Sequence, residues 1–168
     1  MENRITDIDG LSASMLRSIR ASLLKRKETV SVAESVTSGL LQSAFAAIPD
    51  ASLFFQGGLT AYNLGQKAKH LAIEPIHAEK VNCVSQQIAD QMAAGAVCLF
   101  NSNWSISITG YATPVPESRQ KVFAFFSIVY GEKILQRGKI VPKDRQPENV
   151  LTFYVANVMK AFNRIIKK

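Results

Sequence analysis

The chain has 168 residues and a formal net charge of +7; 47% of its residues are hydrophobic and 20% are charged, as in ordinary globular proteins. No apolar run reaches the roughly 20 residues that span a bilayer, and the N-terminus lacks the basic-then-apolar order of a signal peptide. The lysines and arginines are scattered and accompany no nucleic-acid-binding motif, so neither a membrane nor a nucleic acid is predicted as a partner.

The first half of the chain predicts helices that alternate with strands. Residues 11–27 carry apolar side chains at helical spacing, which predicts an amphipathic helix. The apolar run 29–33 predicts a strand, and 37–48 predicts a helix that a Pro-Asp pair stops. Residues 53–62 are β-like, and 63–73 predict a short helix that a Glu-Pro pair breaks.

The second half predicts one long helix, three strands and a closing helix. Residues 84–100 form the long helix, and the alternating segment 103–109 predicts a strand. A loop over 110–119 contains two prolines, 121–141 predicts a β-hairpin around a Gly-Glu turn, and 145–166 predicts the last helix. This order of elements predicts a single three-layer α/β domain over the whole chain rather than separate helical and strand domains.

Common catalytic and cofactor motifs are missing from the sequence. His70 and His77 are the only histidines, and their spacing fits neither a zinc site nor a Ser-His-Asp triad. Cys83 and Cys98 fall in a segment predicted to be helical and form no disulfide framework, which favours a reducing, cytoplasmic setting. The sequence contains no dinucleotide-binding or P-loop pattern, so we expect neither a metal nor a cofactor.

The segment VAESVTSG, residues 32–39, places Ser35 at the turn between a strand and a helix. Side chains at such a turn project from the carboxyl edge of the sheet, where ligands of α/β folds bind, and the helix start supplies unpaired N–H groups. Without a histidine, a nucleophilic serine needs a neutral lysine as its base, and Lys67 is a candidate. Alternatively, Ser35 or Thr37 caps the helix and has no catalytic role.

Four segments together resemble a known family. The segments SVAESVTSGLLQSAF, FFQGGLTAYNLGQKAKHLAI, VSQQIADQMAAGAV and ISITGYATP resemble, in order and spacing, the CinA C-terminal domain family, over about residues 14–160. That family includes the bacterial nicotinamide mononucleotide deamidases. The resemblance implies a three-layer α/β/α fold with a mixed sheet, a homo-oligomer, and hydrolysis of a carboxamide in a nicotinamide nucleotide or related small molecule. It implies no metal and no cofactor.

The same resemblance assigns roles to individual residues. The serine of the family's ESCTGG motif falls on Ser35, and the lysine and tyrosine of its next motif fall on Lys67 and Tyr62. Lys67 is thus implied to be the general base, with Tyr62 aligning the pair and N–H groups near Thr37 and Ser38 holding the oxyanion. The residues implied to bind substrate are Glu34, Thr37, Ser38, Gly39, Thr109, Gly110 and Arg145.

The chain departs from the family pattern at positions that the resemblance associates with binding of the substrate and its phosphate. Val36 and Ser38 replace a cysteine and a glycine of ESCTGG, and the family's glycine-rich loop is here Gly110–Glu117, with two prolines that donate no N–H. Asn149 replaces a second arginine, which leaves Arg145 as the expected anion contact. Two interpretations follow: an amidohydrolase with a shifted substrate, or an inactive relative that serves as a ligand-binding or assembly module.

Overall fold

The computed structural model describes residues 10–143 and 146–167. Its centre is a mixed five-stranded sheet with the strand order β2-β1-β3-β4-β5. Strand β1 is parallel to both of its neighbours, β2 and β3. Strand β4 pairs antiparallel with β3, and β5 pairs antiparallel with β4. The strands are β1 (Val30–Glu34), β2 (Phe55–Thr60), β3 (Trp104–Tyr111), β4 (Phe123–Tyr130) and β5 (Lys133–Ile140).

Helices cover both faces of this sheet. The helices are α1 (Ala13–Arg26), α2 (Leu40–Ala46), α3 (Leu64–Leu71), α4 (Pro75–Lys80), α5 (Gln86–Phe100) and α6 (Pro147–Ile165). Helices α1, α2 and α6 share one hydrophobic core, in which Leu23, Phe45 and Phe162 are fully buried. Helices α3, α4 and α5 pack around a second core on the other face. The predicted three-layer α/β/α fold with a mixed sheet is therefore confirmed.

Small side chains let α5 lie close to the sheet. Strands β1 and β3 present Ser31 and Ser107 to this helix, and their hydroxyls donate to the carbonyls of Ala96 and Ala89. Helix α3 in turn packs on α5 where Gly95 meets the backbone of Leu71, and a Cβ at position 95 would overlap the Leu71 carbonyl. No helix among the described residues is long and apolar enough to cross a bilayer.

The largest differences from the sequence prediction concern helices α2 and α4. Helix α2 begins at Leu40 rather than at 37, because Ser38 and Gly39 take positive φ angles of 50° and 99° and form a turn. The Glu-Pro pair that was expected only to break a helix instead begins α4. Pro75 occupies its first turn, where no N–H is needed, and the Glu74 carboxylate accepts from the N–H groups of Ile76 and His77.

Candidate active site

The parallel arrangement of β1, β2 and β3 brings three chain segments to one edge of the sheet. Glu34 at the end of β1 is paired with Thr60 on one side and Ile108 on the other. The residues that follow these positions therefore lie close together. They border a cavity of about 360 Å³, lined by Ser35, Val36, Tyr62, Lys67, Asn82, Cys83, Val84, Thr109, Gly110, Tyr111, Ala112, Thr113 and Val115.

Ser35 and Lys67 meet at the wall of this cavity. The distance from Lys67 Nζ to Ser35 Oγ is 2.9 Å, although the two residues are 32 positions apart in the chain. The same nitrogen donates to the backbone carbonyls of Ala61 at 2.7 Å and Tyr62 at 3.2 Å. Both side chains are largely shielded from solvent, with 8% of Ser35 and 1% of Lys67 exposed. The nucleophile and base that the resemblance implies are thus in hydrogen-bond contact.

Burial changes the acid–base properties of Lys67. Loss of hydration disfavours the ammonium form and lowers the pKa of Lys67 from 10.5 to about 8, while the nearby Cys83 opposes this change. Burial also raises the pKa of the Cys83 thiol, an effect that Lys67 partly offsets. A lysine with a pKa near 8 is neutral in an appreciable fraction of molecules at neutral pH, as a general base must be.

The start of α2 is held by the carboxylate of Glu34, which is fully buried. Its oxygens accept from the N–H groups of Leu41 at 3.1 Å and Gln42 at 3.0 Å, and also from the Gln42 side-chain amide and the Thr37 hydroxyl. The N-cap of α2 is Gly39, which makes no side-chain cap bond. The alternative interpretation of Ser35 or Thr37 as the cap of this helix is therefore wrong, because a glutamate supplies the acceptor.

Replacing Glu34 by alanine is expected to lower the free energy of unfolding by about 3 kcal/mol, since the buried N–H of Leu41 and the partly buried N–H of Gln42 lose their acceptor. Chemical denaturation at pH 7 measures this change. Glu79→Ala, at an exposed position on α4, is the matched control and should stay within about 0.5 kcal/mol of the wild type. Equal stability of both variants would contradict a supporting role for Glu34.

The other predicted site residues separate into two groups. Thr109 and Gly110 line the cavity, where the Thr109 hydroxyl donates to the Cys83 carbonyl at 2.9 Å. Tyr62 stands at the cavity with 71% of its surface exposed, and it contacts Lys67 through its carbonyl rather than its hydroxyl. Thr37 and the pair Ser38–Gly39 belong to the turn before α2 and do not line the cavity.

Two further predictions concern the oxyanion and the anion contact. The N–H of Ser38 donates to the Ser35 carbonyl at 3.1 Å and is therefore engaged. Among the described residues, the N–H of Val36 has no acceptor, and Val36 lines the cavity directly after Ser35. Arg145, the expected anion contact, lies outside the described residues. Its role and those of Glu34, Thr37, Ser38 and Gly39 in substrate binding stay predictions.

Comparison with known proteins identifies the family. The model of the CinA C-terminal domain matches residues 12–165. The chain belongs to this family. A CinA-like protein of Prochlorococcus marinus is 46% identical over 92 residues, which cover 55% of this chain and 22% of the relative. A CinA-like protein of Thermosynechococcus vestitus is 34% identical over 139 residues, which cover 82% of this chain and 33% of the relative.

This CinA C-terminal domain thus matches only about a fifth to a third of the length of these curated relatives. Solved structures match it over nearly their whole length. A CinA superfamily protein of Klebsiella pneumoniae superposes with a TM-score of 0.85 at 22% identity, covering 92% of this chain and 96% of that one. One from Escherichia coli gives 0.84 at 23% identity, covering 100% and 99%. These two structures support the fold alone.

Sequence reasoning missed several lining residues of this CinA C-terminal domain. Cys83 was predicted to be helical, but it lies in the turn before α5 with a φ of 58° and faces the cavity. Tyr111 was placed in a loop, whereas it ends β3 and its hydroxyl accepts from Asn82 at 3.2 Å. No pattern in the sequence marked either residue.

Within the described ranges, no three His, Cys, Asp or Glu side chains come together as metal ligands would.

Proposed function

We propose that this CinA C-terminal domain is a serine amidohydrolase that converts the carboxamide of a nicotinamide nucleotide or a related amide to a carboxylate and ammonia. The observation that carries the proposal is the 2.9 Å contact between Lys67 Nζ and Ser35 Oγ at the wall of a cavity. A serine hydroxyl is a weak nucleophile by itself, and an adjacent neutral amine is one of the few groups that activates it. Family membership supports the same assignment.

The contacts of Lys67 favour a proton-accepting geometry. A neutral lysine has two N–H donors and one lone pair, and the carbonyls of Ala61 and Tyr62 accept two hydrogen bonds from its nitrogen. When both donors point at these carbonyls, the lone pair is left for the third neighbour, the Ser35 hydroxyl. The two carbonyls thus orient the base as well as anchor it.

In the first half of the reaction, Ser35 Oγ bonds to the carboxamide carbon while its proton moves to Lys67 Nζ. The N–H of Val36 is the nearest candidate in sequence to donate to the oxyanion, since it follows the nucleophile and lines the cavity. Collapse of this intermediate breaks the carbon–nitrogen bond. Lys67 returns the proton to the departing nitrogen, which leaves as ammonia, and the acyl group remains as an ester on Ser35.

In the second half, water attacks the ester carbon and Lys67 accepts a proton from that water. The bond between Ser35 Oγ and the acyl carbon breaks, the serine takes back its proton, and the carboxylic acid leaves. Each proton that Lys67 accepts is thus returned within the same cycle. No metal or redox partner enters these steps.

The test is production of ammonia by the purified protein from nicotinamide mononucleotide, nicotinamide riboside and nicotinamide. We expect ammonia and the corresponding acid to form in a one-to-one ratio from at least one of these amides, with repeated turnover. If none yields ammonia while one raises the melting temperature, the ligand-binding alternative replaces the enzyme. Absence of both turnover and stabilisation would contradict binding of such amides altogether.

A further inference from the structure

Several groups near the cavity that usually bind anions are engaged within the protein, and the N–H of Val36, unpaired among the described residues, is the one assigned above to the oxyanion. The start of a helix next to a nucleophile is a common site for a phosphate or carboxylate. At α2 this position holds the carboxylate of Glu34, which accepts from Leu41, Gln42 and Thr37. A second anion brought there would meet this buried carboxyl group instead of the N–H groups of Leu41 and Gln42.

Lysine and arginine side chains are the second usual means of phosphate recognition. Within residues 10–143 and 146–167, Lys67 is the one lysine or arginine that lines the cavity. Its nitrogen already contacts Ser35 Oγ and the carbonyls of Ala61 and Tyr62, and 1% of the residue is exposed. Three acceptors satisfy every donor of an ammonium group, so Lys67 has none left for a phosphate.

Beyond Ala112 and Thr113, which line the cavity, the loop after β3 offers few free backbone donors. Pro114 and Pro116 have no N–H, the N–H of Val115 points to Ser118 Oγ at 3.5 Å, and that of Ser118 donates to the Val115 carbonyl at 3.2 Å. The loop therefore folds on itself in a short 3-10 turn instead of opening a nest of N–H groups. Glu117 adds a negative charge to the same turn.

The remaining polar lining consists of neutral groups. Asn82, Tyr111 and Thr113 present an amide and hydroxyls, which suit the hydroxyl groups of a sugar or an uncharged polar ring. We propose that the cavity takes carboxamides whose remaining part carries no phosphate, such as a nucleoside or a smaller aromatic amide. This inference rests on the proposed function for the reaction, but the ligand class follows from the lining of the cavity.

The experiment compares nicotinamide riboside with nicotinamide mononucleotide, which differ by one phosphate. Calorimetric binding to the Ser35→Ala protein keeps both probes intact, and wild-type turnover is measured in parallel. We expect the riboside to bind at least about tenfold more tightly, because the phosphate must be dehydrated without a compensating partner. Equal or tighter binding of the mononucleotide, or binding of neither probe, overturns the inference.

An engineered cation tests the reason for the preference. Thr113 is exposed and lines the cavity, so Thr113→Lys should tighten mononucleotide binding about tenfold relative to riboside binding. Thr113→Gln, of similar length without charge, is the matched control and should improve neither. A wild-type preference for the mononucleotide that Arg145→Gln removes would overturn the inference and assign phosphate binding to Arg145.

The proposed function and the inference fail separately. Riboside binding without ammonia release would contradict the amidohydrolase and support the ligand class. Ammonia release with a kcat/KM higher for the mononucleotide would support the amidohydrolase and overturn the ligand class.

Discussion

Replacing Ser35 by alanine is expected to lower ammonia release by about 10³- to 10⁶-fold, because the variant lacks the oxygen that forms the acyl bond. The side chain is small and 8% exposed, and its hydroxyl is hydrogen-bonded to Lys67. We therefore expect the variant to keep the wild-type fold and melting temperature within a few degrees. Turnover with the best amide, measured alongside circular dichroism, checks both statements.

Ser43→Ala is a suitable control because this serine lies on the exposed side of α2, the helix that follows Ser35. We expect full activity from it. Activity of Ser35→Ala near the wild-type level would contradict covalent catalysis by this serine and leave its contact with Lys67 a structural one. Rapid quenching followed by mass spectrometry should also detect the acyl group on Ser35 in the wild type and not in Ser35→Ala.

Replacing Lys67 by arginine is expected to lower kcat/KM by about 10²- to 10⁴-fold, since arginine keeps a positive charge but does not release its proton in this pH range. In the wild type, the pKa of about 8 predicts that kcat/KM rises with pH through 8 and then levels off. The neutral fraction of such a lysine grows about tenfold between pH 7 and 9. A flat profile over this range would argue against Lys67 as the base.

The stability of the protein should report the same pKa. The folded-state pKa of about 8 lies below the ordinary value of 10.5, so between these values the unfolded chain binds more protons than the native one. Stability therefore increases with pH across this window, by up to about 3 kcal/mol from this group. Urea denaturation at pH 7.5 and 10 should show the increase in the wild type relative to Lys67→Met, and its absence would contradict the lowered pKa.

The spacing of apolar residues and the resemblance to the CinA C-terminal domain family together predicted the architecture. The spacing is informative because it repeats along each helix or strand. The apolar spacing of 11–27 and the alternation of 103–109 correspond to α1 and β3. The missed helix α4 shows that a proline does not by itself mark the end of a helix. Pro75 was interpreted as a break, but the same proline is compatible with the first turn of a helix, and the carboxylate that caps this turn precedes it by one position.

The residues of the candidate site that occur in the family motifs could be predicted from the sequence. The contacts that these residues make in the folded protein could not. Ser35 and Lys67 follow from the motif, and their 2.9 Å contact depends on the parallel pairing of β1 and β2. Glu34 was assigned to substrate, yet its carboxylate binds the backbone of α2. Cys83 reaches the cavity through a left-handed turn that its sequence does not mark.

The contact between Gly95 on α5 and Leu71 on α3 affects the position of Lys67 relative to Ser35. Leu71 lies on α3 one turn beyond Lys67, and a side chain at position 95 would collide with its backbone. Since Ser35 is held to the sheet by the hydrogen bond from its N–H to the Ile108 carbonyl, displacement of α3 would change the distance between base and nucleophile. The lack of a Cβ at Gly95, a half-buried position that does not line the cavity, thus lets α3 pack closely on α5 and helps to fix the position of Lys67 relative to Ser35.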